Sequence, residues 1–299
     1  MNRVSVVIPA YNCGPWVAEA VASALAQTHP PAEILVVDDG STDDTAAHLA
    51  AFGSAIRVLR QANGGAAAAR NAGVAAAAGS FIAFLDADDV WHPRKLERQL
   101  PHLAARPDLG LLATGHYAWP GPHADASADA PALIPVPLDR LIVRNSIVTS
   151  TVVARADVLR AAGPFDAELH GPEDFDLWLR VAQRAKLAIL PTPLSGYRTV
   201  VGSLSKNAVR MEEGMRRILG KLDAAGVFRG RPLFRRRAWA YFRYSCGYMH
   251  HAAGHRGRAV RHLALSVAGY PWPFPRADVR YAFGRPRLML AAALARRTP

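Results

Sequence analysis

The sequence predicts an α/β protein, in which a mostly parallel sheet carries helices on both faces and a helical appendage follows at the C-terminus. Three observations predict it. Residues 4–8 (VSVVI), 34–37 (ILVV), 55–59 (AIRVL) and 81–85 (FIAFL) are short apolar runs, each followed by polar or small residues and then a helix-like stretch. Their near-continuous hydrophobicity implies burial on both faces, as in parallel strands covered by helices. From Met211 onward the periodicity is helical.

Taken in order, the first run precedes Trp16, Val17, Ala20, Val21, Ala24 and Leu25, which recur at helical spacing. After the second run, Ser41 or Thr42 ahead of Asp43 and Asp44 reads as an N-cap with first-turn acids. Asn63-Gly64-Gly65 permits close backbone approach and opens an Ala-rich helix whose N-terminus favours an anion. The stretch 119–137 is rich in Pro, Gly and Ala and reads as a long loop or flap. Beyond it, 147–154 reads as a strand, 157–162 as a short helix and 173–185 as a helix. That last helix carries Trp178, Val181, Ala182 and Ala185 on one face, so Trp178 is expected in the core. In the appendage a stripe runs through Ala238, Tyr241, Phe242, Ser245 and Tyr248, with loops at 229–232 and 254–257; segments 235–252 and 258–268 would form a helical hairpin.

Composition narrows the function. With 299 residues, 51% of them hydrophobic and 20% charged, the chain can bury a substantial core. No run of 18 apolar residues is present to span a bilayer. Two cysteines, Cys13 and Cys246, make neither a disulfide framework nor a thiolate metal site, and the first residues enter a strand pattern without a signal-peptide signature. The expected compartment is the cytoplasm, with peripheral attachment at the inner membrane face as an option. The formal charge of +12 is unevenly placed: residues 1–205 hold 16 Lys+Arg and 20 Asp+Glu, whereas residues 206–299 hold 20 and 4. Arginine supplies 32 of the 36 basic residues, a bias that lowers the weight of any single one.

Ligands of open α/β sheets bind beyond the carboxyl ends of the strands, where 9–12, 38–41 and 86–89 all fall. Two of those ends carry paired acids, Asp38-Asp39 and Asp86-Ala87-Asp88-Asp89. Neighbouring carboxylates repel unless a cation or a hydrogen-bonding ligand satisfies them. In an extended Asp86-Ala87-Asp88 both acids would point to one side, a layout suited to a hard divalent cation that also takes oxygens of a diphosphate. Turn or helix-cap aspartates are the plain alternative.

VSVVIPAYN, ILVVDDGSTDDT, NGGAAAARNAG, FIAFLDADD and GPFDAELHGPEDFDLWLR follow one another in an order that resembles the family 2 glycosyltransferases, nucleotide-sugar enzymes of the GT-A fold. The resemblance covers roughly residues 3–205. It implies a catalytic domain at 1–205, with a nucleotide-binding half at 1–110 and an acceptor-binding half at 111–205, and a basic helical region at 206–299. It also implies roles. Pro9, Ala10 and Tyr11 match the first base-binding loop, Asp39 the acid that accepts from the nucleobase, and Arg70 a basic residue near the donor. Asp86 and Ala87 belong to the DXD motif, with Asp86 at the ribose, and Asp88 is its metal-binding end, for Mn²⁺ or Mg²⁺. Glu173-Asp174 matches the acceptor-side pair, with Asp174 as the base and Glu173 as an acceptor-binding neighbour.

The residues alone leave alternatives open. Tyr11 could stack on a base or sit in the core, Asp39 could serve a turn, Arg70 an ion pair, and Glu173 and Asp174 the helix dipole. Many relatives carry a His two residues after Tyr197-Arg198; here Val200 stands there, so water, Arg198, Ser203 or Ser205 would have to compensate at the metal. His250, His251, His255 and His262 lie in the basic tail and read as solvated or helix-packing residues rather than a metal site.

The expected activity is inverting transfer of a sugar from a nucleotide-diphospho-sugar to an acceptor hydroxyl of a glycan, a lipid-linked saccharide or a small molecule. Neither GxGxxG after the first strand nor GxxxxGK[ST] occurs, against a dinucleotide oxidoreductase or a P-loop NTPase. The rival classes are a nucleotide-sugar binder without turnover and a tail that binds membrane or nucleic acid. No nucleic-acid reading motif is present, so anionic lipid, met by Tyr270-Pro271-Trp272-Pro273-Phe274, is the better partner for the tail. Packing of those aromatics under the catalytic domain is the equal alternative.

Overall fold

The computed structural model describes residues 3–121, 132–199, 207–274 and 284–294. Two compact units divide the chain: residues 1–138, 146–168 and 173–201 form one, and 139–145, 169–172 and 202–299 the other. The short segments 139–145 and 169–172, within the expected catalytic domain, thus group with the C-terminal unit.

The first unit holds a single sheet made of β1 (Val4–Ala10), β2 (Glu33–Asp38), β3 (Arg57–Arg60), β4 (Phe81–Phe84), β5 (Val90–Trp91), β6 (Leu109–Trp119), β7 (Ile134–Pro135), β8 (Val153–Arg155) and β9 (Lys186–Arg198). Its order is β3-β2-β1-β4-β8-β6-β9-β5, with β7 also on β9. The expected parallel core is β3-β2-β1-β4. Beyond it the sheet is mixed: β8 runs antiparallel to β4 and β6, β6 and β9 are parallel, and β5 and β7 are antiparallel to β9.

Helices α1 (Gly14–Leu25), α2 (Thr45–Ala50), α3 (Ala66–Ala76), α4 (Lys95–Ala105), α6 (Ala156–Ala162) and α7 (Glu173–Ala182) cover the sheet and its ends. Alternation along β1 sends Val4, Val6 and Ile8 into one core with Val17, Ala20 and Val21 of α1. Val7 points to the opposite face, against α3. There Gly73 is required, since a Cβ on it would lie 2.4 Å from Val7 Cγ1. The same face of β4 presents Phe84 to Phe165 and Trp178 at ring distances of 5.4 and 5.9 Å. Trp178 is fully buried, as its place on the apolar stripe of α7 implies.

Several local expectations are corrected. β3 is an exposed edge strand rather than one buried on both faces, because nothing beyond it continues the sheet. Ser41 and Thr42 do not cap α2; Asp43 accepts from the Thr45 N–H at 3.0 Å, and Ser41 Oγ instead accepts from the Asn12 N–H at 3.1 Å. Of segment 147–154 only Val153 and Ala154 are strand: Thr149–Thr151 is a 3₁₀ turn ahead of β8. The two longest strands, β6 and β9, were not legible, because Gly110 and Gly115 interrupt the first and Pro191, Pro193 and Gly196 the second. Register shifts at Gly115 absorb those residues. Residues 119 and 134–135 of the expected flap are strand, and 122–131 lie outside the described residues.

Lys95 is fully buried, with Nζ 2.9 Å from Gln99 Oε1 and 4.2 Å from the Trp91 ring centroid. A ring face returns about 2 kcal/mol or somewhat more to a desolvated cation, whereas burying the ion costs several. Burial therefore wins and drives the Lys95 pKa well below its ordinary value. The folded group loses its proton before the unfolded one does, so the contribution of Lys95 to stability is fully present above the unfolded pKa and falls away with decreasing pH. Relative to Lys95→Met, the wild type should gain up to about 1.4 kcal/mol per pH unit as pH rises toward the lysine range. Urea unfolding at two alkaline pH values measures it, and parallel behaviour of both proteins would show a charged Lys95.

The second unit contains α5 (Leu138–Val143, from its second residue), α8 (Ala208–Ala224), α9 (Pro232–Ala252), α10 (Arg256–Gly269) and α11 (Gly284–Leu294). Asn207 caps α8 by accepting from the Arg210 N–H at 3.1 Å. The expected hairpin is α9 packed on α10, approaching closely where a Cβ on Gly247 would meet Leu263 Cγ at 2.6 Å. Phe274 is buried against Tyr241, Tyr244 and Tyr270 inside this unit, while Trp272 is 54% exposed, so the aromatic run splits between packing and solvent. No helix among the described residues is long and apolar enough to cross a membrane. His250 and His262 are buried, the helix-packing alternative of their reading, while His255 is exposed, the solvated one.

Candidate functional site

The ends of β1, β2 and β4 converge with the N-termini of α3 and α7. Pro9 and Ala10 close β1 beside Val37 and Asp38 of β2. Ala10 is buried, and Tyr11 just beyond it is 50% exposed, which rules out a core role for the ring. Asn12 adopts a φ of 46° and its Oδ1 accepts from the Thr42 N–H at 2.8 Å, tying the first loop to the second.

Asp39 is 2% exposed. Its Oδ1 accepts from Gln61 Nε2 at 2.7 Å and the Gly64 N–H at 3.0 Å, and its Oδ2 accepts from the Gly65 N–H at 2.7 Å. Its carboxylate therefore shapes the Asn63-Gly64-Gly65 loop, the turn role that stood beside the nucleobase role. Accepting from a base as well would have to use the remaining capacity of Oδ2.

Residues 86–89 form a turn closed by the Asp89 N–H to the Asp86 carbonyl at 3.0 Å, not the extended segment expected. Asp86 and Asp88 are half-buried there while Ala87 and Asp89 are buried. Asp89, to which the sequence reading gave no role, accepts from Ser150 Oγ at 2.5 Å and from the Arg198 N–H at 2.9 Å. Ser150 Oγ also accepts from the Asp86 N–H at 3.1 Å. Arg198 Nε donates to the Asp88 carbonyl at 2.8 Å, and its guanidinium pairs with Glu19 at 2.7 Å. Val200, Ser203 and Ser205 lie outside the described residues.

Burial, then the charge of Asp86, pushes the Asp88 carboxyl up to about 6; the same two causes, partly opposed by the bond from Ser150, push Asp89 up to about 8. A cation would relieve the burial and the neighbouring Asp86 charge that act on Asp88, so Asp88 with Asp86 beside it fits a hard divalent ion at this turn.

Arg70, from the second turn of α3, is buried and forks between two carboxylates, Asp86 Oδ1 at 2.7 Å and Glu173 Oε1 at 2.8 Å. Desolvation opposes its charge, but Asp86 and Glu173 more than compensate and raise its pKa. The ion-pairing alternative for Arg70 is thus realised, and Glu173, buried in that pair, orders the site rather than standing open. Asp174 is half-buried and accepts from Thr149 Oγ1 at 3.0 Å. Desolvation first, and then the charge of Glu173, push its carboxyl up to about 7, with Arg70 pulling the other way. Thr149 and Ser150 escaped sequence reading because the hydroxyl run Thr149-Ser150-Thr151 sits in what passed for a strand; that run was the available signal.

The family model described as glycosyl transferase family 2 matches residues 5–124. A Bacillus subtilis protein named as a putative teichuronic acid biosynthesis glycosyltransferase, TuaG, is 32% identical over 213 residues, 68% of this chain and 82% of the relative. The Escherichia coli UDP-Glc:α-D-GlcNAc-diphosphoundecaprenol β-1,3-glucosyltransferase WfgD is 30% identical over 236 residues, 78% of this chain and 88% of the relative. Other curated relatives are longer, and the chain spans 17% and 32% of two of them, both from Rickettsia. The crystal structure of the Pyrobaculum calidifontis mannosyltransferase PcManGT with GDP-Man and Mn²⁺ superposes with a TM-score of 0.62 at 18% identity, covering 98% of this chain and 86% of that one. The fold is accordingly the GT-A fold. Relatives of at least 30% identity, matched over more than four-fifths of their own length, show that the chain belongs to glycosyltransferase family 2.

Proposed function

We propose that the protein transfers a sugar, with inversion, from a nucleotide-diphospho-sugar to an acceptor hydroxyl. The observation that carries this reading is Asp174, a half-buried carboxyl raised to about 7 and joined through Glu173 and Arg70 to the acidic turn at Asp86. An acid poised near neutrality can take the acceptor proton as the hydroxyl attacks. One in-line displacement needs no covalent protein intermediate and inverts the anomeric carbon. Tyr11 supplies a face for the base, and Asp39 holds the glycine loop over which the donor lies. A divalent cation held by Asp88 with Asp86 would supply charge stabilisation for the departing diphosphate.

The relatives guide the substrate class. WfgD is named for a UDP-glucose donor and a diphosphoundecaprenol-linked acceptor, so a UDP-hexose and a lipid-linked saccharide are the first pair to test. The basic C-terminal unit suits peripheral contact with an anionic membrane, where such acceptors reside. A cytoplasmic placement at the inner face follows from the same reading.

The test incubates the purified chain with UDP- and GDP-sugars, Mn²⁺ or Mg²⁺ and a lipid-linked acceptor, and measures nucleoside diphosphate release. Release should depend on the acceptor, stop with EDTA and fall at least about 100-fold in Asp88→Asn. Tyr11→Ala should raise the donor KM and leave kcat nearly unchanged. Release at the wild-type rate from Asp88→Asn in EDTA would remove the metal from the mechanism. Donor binding without any release would leave a nucleotide-sugar binder.

A further inference from the structure

The second unit contains a different kind of ligand set. Glu212 of α8, His250 of α9 and His262 of α10 meet with one ligand atom from each lying within 4.8 Å of the others. His250 Nε2 is 2.7 Å from Glu212 Oε2, and His262 Nε2 is 3.2 Å from Glu212 Oε1. The imidazole rings stack with centroids 5.6 Å apart at 21°, which sets their Nε2 atoms side by side against one carboxylate. We infer that Glu212, His250 and His262 form a zinc-type divalent metal site that clamps α8, α9 and α10 together.

Donor chemistry distinguishes this set from Asp86 and Asp88. Two imidazole nitrogens and one carboxylate oxygen are the donors that Zn²⁺ accepts, whereas an all-oxygen turn suits Mg²⁺ or Mn²⁺.

His250 Nδ1 lies 3.0 Å from Nδ1 of the exposed His255. In the metal-free site the Nε2 proton of His250 bridges to Glu212; with Nδ1–H donating to His255, loss of that proton to solvent bares Nε2 as the ligand. The side chain of His250 is wholly buried and that of His262 is 11% exposed, while Glu212 remains 26% exposed. Its open side gives the ion an entry and leaves room for water as a fourth ligand. Only 4 of the residues in 206–299 are acidic against 20 Lys+Arg. In such surroundings a carboxylate aimed at two imidazoles is a specific arrangement.

Binding is a simple exchange: one M²⁺ enters and the two Nε2 lone pairs and one carboxylate oxygen become ligands, with any proton on Nε2 passing to solvent. The experiment strips the full-length chain with chelator, restores one equivalent of Co²⁺ as the zinc surrogate and records the visible spectrum, then titrates Zn²⁺ against a chromophoric chelator. A tetrahedral Co²⁺ band that Zn²⁺ abolishes is expected, with one tight Zn²⁺ per chain. His262→Gln should weaken Zn²⁺ binding at least about 100-fold, and His255→Ala about 10-fold. Asp88→Asn should leave the band in place, separating this site from the acidic turn. Absence of the band in the wild type overturns the site, and so does Zn²⁺ affinity unchanged in both His262→Gln and Glu212→Gln.

Discussion

Asp174→Asn should lower the rate of sugar transfer about 10²–10⁴-fold, the range by which a positioned general base accelerates proton abstraction, while the protein folds and binds donor as before. The substitution is nearly isosteric: the Asn oxygen can accept from the Phe175 N–H as Oδ1 does, and its amide can donate to the Thr149 hydroxyl. In the wild type the active form is the carboxylate, so kcat should rise with pH through about 7, where burial and Glu173 place this group. Stability should move the opposite way. An acid whose folded pKa exceeds its unfolded value contributes stability at low pH and loses it as pH rises from the ordinary aspartate range to about 7. Asp174→Asn escapes that loss, so the variant should be more heat-stable than the wild type at pH 8 and differ less at pH 4. Thermal unfolding at the two pH values, beside acceptor-dependent nucleotide release, checks both halves. A variant with full activity would assign the base to another group, and a kcat flat between pH 5.5 and 8.5 would mean that proton transfer to Asp174 is not part of the rate.

The parallel half of the fold was legible because β1, β2 and β4 are short, largely apolar runs buried on both faces and ending in polar or small residues, whereas the exposed edge strand β3 followed from its place in that repeat. The mixed half was hidden because β9 contains Pro191, Pro193 and Gly196, residues that normally mark turns. Among site residues, those set by local sequence were visible: Asp86 and Asp88, Tyr11, and Glu173-Asp174 at a helix start. What the sequence could not convey was which of them spend their charge on each other. Arg70 and Glu173 are 103 positions apart, and Asp39 is tied to a loop 25 residues away. Thr149 and Ser150 gain their roles only because a 3₁₀ turn replaces the expected strand. The histidines of the second unit make the same point, since α8, α9 and α10 are needed to bring Glu212, His250 and His262 together.

The second large effect is expected at Arg70. Arg70→Met removes a guanidinium shared by Asp86 and Glu173, and sets an apolar chain in its place beside the buried Glu173 carboxylate. Removing one partner of a buried pair costs roughly 3–5 kcal/mol, because the remaining charge stays desolvated. Arg70 also pulls down the pKa of Asp174, third in order after burial and Glu173. Without it the base should titrate higher, moving the pH profile of any residual activity to the alkaline side. Arg70→Lys separates the two roles. A single ammonium keeps the charge but lacks the planar fork that reaches both acids at 2.7 and 2.8 Å, so it should restore most of the pH profile and only part of the stability. Urea unfolding and kcat against pH on the three proteins decide the matter. If Arg70→Met unfolds at the wild-type urea concentration, the fork is not holding the site. If the alkaline shift is absent while stability falls, Arg70 supports the fold without tuning the base.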